Sequence, residues 1–149
     1  MGRRSGRHAL RRRDRGVLIL PDTSAWVEFF RRTGSRVHQR LAAALQAREE
    51  IVVAEMVIAE VLAGAVSARQ HAALRKTLLA FPLLRLEALA DYEEAAALYR
   101  ACRAGGESLR SITDCLIAAP AIREGVAILH SDADFDKLAR HTPLQVIQT

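Results

Sequence analysis

Soft metal ligands are scarce in this chain. It has two cysteines, Cys102 and Cys115, and five histidines, of which His38, His71, His130 and His141 share no ligand spacing. This excludes a zinc site of the usual kinds, and two cysteines are too few for a disulfide framework. The histidines read as surface or core fillers. Aromatic residues make up only 5% of the sequence, so a base-stacking sheet of the RNA-recognition type is not indicated. No stretch approaches the roughly eighteen apolar residues that a membrane helix needs, and the amino end lacks the apolar segment of a secretory signal. Neither membrane insertion nor export is expected, and a reducing cytoplasm fits best.

What the chain does have is aliphatic bulk. With 50% hydrophobic residues in 149, it can bury the core of one domain. The net charge of +5 is unevenly placed. Arg3, Arg4, Arg7, Arg11, Arg12, Arg13 and Arg15 crowd residues 1–16 beside a single acid, Asp14, and the remainder is close to neutral. Residues 1–16 are therefore expected to be a disordered basic tail, able at most to add phosphate contacts. The folded domain is expected over residues 17–149.

The apolar pattern alternates short continuous runs with helical periodicity. Val17–Leu20, Ile51–Ala54, Leu83–Leu86 and Val126–Leu129 read as buried strands of a parallel sheet. Between them, helical spacing predicts helices from Ser24 to about Arg31, around Val37, Leu41, Ala44 and Leu45, over Glu55–Ala63 and Ala68–Phe81, over Ala88–Ala104 with Leu89, Tyr92, Ala96 and Tyr99 inward, and over Ser111–Glu124. Pro120 inside the last of these predicts a kink. The fold class is α/β.

Four acids stand out by position. Asp22 follows the first strand, at the sheet edge where ligands of open α/β sheets bind, although Asp22 or Thr23 could simply cap the next helix. Glu60 shares a helical face with Met56, Val57, Ala63 and Gly64, where a carboxylate is expensive to bury, unless it lies at the edge of that stripe and reaches solvent. Asp114 opens an otherwise apolar helix, and with Ser111 it matches a capping box. Asp132 stands to the fourth strand as Asp22 stands to the first.

The segments DTS after the first strand, AEVLAG around Glu60, TDCLIAA around Asp114 and the SDADF turn, in this order and spacing, resemble the PIN domain, and more narrowly the VapC toxins of VapBC toxin–antitoxin pairs. The resemblance covers roughly Val17 to Gln148. It implies a three-layer fold, a central parallel sheet flanked by helices. It further implies a Mg²⁺- or Mn²⁺-dependent endoribonuclease with Asp22, Glu60, Asp114 and Asp132 as its acidic quartet, Asp134 assisting, and Ser24 holding Asp22 by a hydrogen bond. An RNA substrate such as tRNA or ribosomal RNA, a VapB-type antitoxin and a homodimer would be its partners.

Elementary electrostatics agrees. Clustered carboxylates raise one another's pKa values unless a cation neutralises them, and no lysine lies in these four motifs. All-oxygen ligation selects hard Mg²⁺ or Mn²⁺ over Zn²⁺. Asp22, Asp114 and Asp132 are the candidate ligands, directly or through water, with Glu60 as metal support or water activation. Two other enzyme classes fail: a haloacid-dehalogenase-type phosphatase needs a second acid where Ser24 stands, and a receiver domain needs a lysine after a late strand, where neither Lys76 nor Lys137 lies. A catalytically silent PIN-like module that binds RNA or protein is the alternative, though it has no reason to keep the whole quartet.

Overall fold

The structure, a computed structural model, describes residues 16–149; apart from Gly16, the expected basic tail lies outside the described residues. Strand β1 (Ile19–Pro21) leads into helix α1 (Thr23–Phe30), followed by α2 (Arg36–Gln46), β2 (Val53–Ala54), α3 (Glu55–Ala63), α4 (Ala68–Leu78), β3 (Leu83–Leu84), α5 (Ala90–Ala104), α6 (Thr113–Glu124), β4 (Ala127–Leu129) and α7 (Ala133–His141). All pairings are parallel. β1 pairs with β4 in the register Ile19–Ala127, and β2 with β3 in the register Val53–Leu83. Single bridges join Ile19 to Ile51 and Ile128 to Val146. The sheet order is therefore β3, β2, β1, β4, with the Val146 segment at the far edge. From β1 the chain builds outward to β3 and then returns to lay β4 on the other side, so the switch point lies between β1 and β4.

The aliphatic runs end up where a doubly covered sheet needs them. Leu20, Val53, Ile128 and Leu129 are fully buried, as are Trp26 of α1 and Phe135 and Leu138 of α7. Trp26 packs against Phe29, Phe30 and Phe81 with ring centroids 5.5–5.9 Å apart, fixing α1 at the end of β1. No helix among the described residues is long and apolar enough to cross a membrane.

Several local expectations are corrected. Strand β1 starts two residues later than the aliphatic run suggests, and Val17 is exposed. The inward face of α5 is Asp91, Ala95, Leu98 and Cys102; Leu89 and Tyr92 are 68% and 52% exposed. A buried charge lies on that face because Asp91 is paired: Arg123 of α6 donates Nη2 to it at 2.9 Å and Nε at 3.3 Å. The capping box does not form. Ile112 is the N-cap of α6 without a side-chain bond, and the Ser111 hydroxyl accepts from the Thr113 amide instead, at 3.1 Å. α6 runs on through Pro120, which is buried. The SDADF segment, expected as a turn, enters a nine-residue helix, α7.

Candidate active site

Asp22 belongs to both of its readings at once. It is the N-cap of α1, its Oδ1 accepting from the Ala25 amide at 3.1 Å, and it lies only 3% exposed at the carboxyl end of β1. The Ser24 hydroxyl donates to the same oxygen at 2.7 Å and accepts from the Ser131 amide at 2.9 Å. One hydroxyl thus ties the loop after β1 to the loop after β4. Burial pushes the Asp22 carboxyl up to about 6, against the lowering effect of these hydrogen bonds.

Across the switch point, Asp132 caps α7 through the Asp134 amide, at 3.0 Å. Single carboxylate oxygens of Asp114, Asp132 and Asp134 all lie within 4.8 Å of one another. Asp114, in the first turn of α6, is half-buried and accepts no hydrogen bond from the described residues. Its carboxyl is pushed up to about 7, by burial first and then by the charges of Asp132, Asp22, Asp134 and Glu60. Every acid singled out in the sequence is therefore felt at Asp114.

Glu60 departs from the expectation that placed it on an apolar stripe. The buried line of α3 is Val57 and Val61, and Glu60 is exposed beside it. It still faces the cleft, since the Thr23 hydroxyl, one residue past Asp22, donates to it at 2.8 Å.

The site also has cations that the motifs did not show. Arg110 donates Nη2 to Asp132 Oδ1 at 2.5 Å, and its backbone amide and Nε donate to Asp134 Oδ2 at 2.9 and 3.4 Å. Lys137 Nζ, one turn along α7, lies 3.2 Å from Asp134 Oδ1. Burial of Asp134 raises its pKa, but these donors outweigh it and hold the carboxyl below its ordinary value. His130 is buried behind the cluster; its Nδ1 accepts from the Asp132 amide at 3.1 Å, and desolvation keeps its pKa low. Arg110 and Lys137 find their acids in the fold rather than in the local sequence. Only the i, i+3 spacing of Asp134 and Lys137 offered a hint.

A parallel sheet with acids at the ends of β1 and β4, at the start of α6 and on the rim of α3 is a nuclease-like arrangement, and the chain belongs to the PIN domain family, which matches residues 19–141. Within it, the chain falls among the VapC ribonucleases. It is 47% identical over 131 residues to Ribonuclease VapC11 of Mycobacterium tuberculosis and equally to VapC ribonuclease Mb1587 of Mycobacterium bovis, covering 86% of this chain and 96% of each relative. The fold is shared more widely. VapBC2 from Rickettsia felis, solved bound to a DNA fragment from its promoter, matches with a TM-score of 0.68 at 17% identity, covering 87% of this chain and 97% of that one. VapC20 of Mycobacterium tuberculosis, described as a sarcin-ricin loop cleaving toxin, matches with a TM-score of 0.63 at 18% identity, covering 85% of this chain and 98% of the other.

Proposed function

We propose that the protein is a divalent-metal-dependent endoribonuclease, the toxin half of a VapBC-type pair, which hydrolyses phosphodiester bonds of tRNA or ribosomal RNA in the cytoplasm. One observation carries the reading: Asp114 is half-buried, accepts no hydrogen bond from the described residues, and has its pKa pushed up to about 7 by burial first and then by the carboxylates around it. Nothing in the fold is stabilised by that arrangement, whereas a cation there would reverse its sign. The donor set is all oxygen, which fits Mg²⁺, or Mn²⁺ in its place.

Asp22, Asp114 and Asp132 would hold the ion, directly or through water, and Glu60 would support it from the rim. When bound, the ion supplies Lewis acidity, a lowered pKa for water and neutralisation of charge on the phosphate. Ser24 keeps the Asp22 carboxylate aimed while joining it to the Ser131 loop. Asp134 has both oxygens engaged by Arg110 and Lys137, so its share is to fix those two cations beside the cleft and assist the ligands. Glu60 and Thr23 order the outer wall where the substrate enters.

The relatives' assemblies support the partners. Solved neighbours include VapBC complexes, some with DNA. An antitoxin of that kind would cover the cleft here and present a cation to the acids, and the toxin would self-associate as a homodimer. Cleavage of total RNA by the purified protein tests the activity. It should require Mg²⁺ or Mn²⁺, stop on chelation, and be lost in Asp22→Asn with folding intact. Undiminished cleavage in excess chelator would overturn the mechanism.

A further inference from the structure

Arg110 is the one guanidinium among the described residues that reaches the acidic cluster, and its geometry separates anchor from head group. The anchor is the backbone: the Arg110 amide donates to Asp134 Oδ2 at 2.9 Å, and Lys137 Nζ fastens the preceding turn through the Ser108 carbonyl at 2.9 Å. The head group spans Asp132 Oδ1 at 2.5 Å and Asp134 Oδ2 at 3.4 Å, and the side chain as a whole is 70% exposed. It can therefore leave by rotating its own bonds while the loop stays put.

We propose that Arg110 is an internal competitor for the divalent cation: its guanidinium holds Asp132 until the ion takes that carboxylate over. This rests on the metal-site reading above. Asp132 Oδ1 already accepts the Asp134 amide at 3.0 Å as well as the guanidinium, so an ion would have to take the other oxygen of the same carboxylate, beside the guanidinium. A guanidinium and a divalent ion on one carboxylate also repel each other across a few ångströms. Ligation by Asp132 and its pairing with Arg110 thus oppose each other. Asp132 would have a cationic partner in both states, an exposed side chain or an ion, and metal occupancy would be set by the difference between them. Arg110 is in this sense a positioning residue, acting through Asp132.

The test is calorimetric titration of Mn²⁺ into the full-length protein, without RNA, for wild type, Arg110→Gln and Arg110→Lys. Loss of an exposed ion pair should tighten Mn²⁺ binding about two- to five-fold in Arg110→Gln. Arg110→Lys should fall between, because an ammonium makes one contact where the guanidinium bridges two carboxylates. A residue that merely supported the structure would weaken metal binding when removed. Equal or weaker binding in Arg110→Gln at an unchanged melting temperature would overturn the competition while leaving the metal site standing. Arg110→Lys at the wild-type affinity would reduce the effect to net charge and overturn it too. Absence of Mn²⁺ binding in all three proteins would overturn the metal-site reading, and this inference with it.

Discussion

Asp114→Asn should make the metal-free protein more stable at alkaline pH, an unusual outcome for an active-site acid. In the folded chain the Asp114 carboxyl titrates at about 7, against an ordinary 3.8. Between these values the folded state holds a proton that the unfolded state has released, so stability present at low pH is lost as pH rises towards 7 and beyond. Three units would correspond to ~4 kcal/mol at about 1.4 kcal/mol per unit. Asp114 is only half-buried and titrates together with Asp22, raised in the same direction to about 6, so roughly half of that, ~2 kcal/mol, is the expected penalty. Asparagine keeps the shape and removes the charge. In chelator at pH 8 the variant should melt ~6 °C above wild type, and at pH 5, where Asp114 is protonated in the folded chain but ionised in the unfolded one, the gap should shrink to about a third of that. Added Mn²⁺ should raise the melting temperature of wild type far more than that of the variant. Equal melting at pH 8 in chelator, or a gap as wide at pH 5 as at pH 8, would refute the electrostatic reasoning.

Glu60→Gln should change stability by less than about 0.5 kcal/mol, as expected of an exposed side chain, yet slow RNA cleavage about tenfold by loosening the cleft rim; unchanged cleavage would remove Glu60 from the site. Asp91→Ala should destabilise the fold by ~2 kcal/mol in urea unfolding, because the Glu87 amide and the inner edge of the Arg123 guanidinium lose their acceptor while Arg123 keeps only Glu124, Glu87 and the Arg85 carbonyl, and pairing it with Arg123→Met should recover part of that loss. Additive losses in that cycle would show that the two side chains do not act as a pair. Deleting residues 2–16 should leave the melting temperature unchanged while flattening the salt dependence of RNA binding; loss of the cooperative transition would show the segment to be structural.

The sheet and the acids were legible because each left a signal within a few residues. A continuous aliphatic run names a doubly covered strand, and an acid just past it names the sheet edge, which is how Asp22 and Asp132 were found. α5 was read on the wrong face because its alanines give little contrast. Its buried face also carries Asp91, whose compensation comes from Arg123, 32 residues away. Glu60 shows the opposite limit, since shared helical spacing with Met56 and Val57 cannot tell the centre of a stripe from its edge. α7 could have been read: Asp132 as cap with Phe135 and Leu138 one turn apart is a helix signature hidden behind the turn-like SDAD. Arg110 could not. Its partners lie 22 and 24 residues further along, and only the pairing of β1 with β4 brings them to the other acids.

The Ser24 hydroxyl that joins Asp22 to the Ser131 amide spans 107 residues of sequence. During synthesis, the chain that has just left the ribosome carries Asp22, Glu60 and eventually Asp114, but no cleft, because β4 and its loop are still to come. A chain that ends before β4 therefore carries three of the acids without the Ser131 and Asp132 side of the cleft. The order of strands in the sheet thus makes the cleft one of the last features the chain can complete.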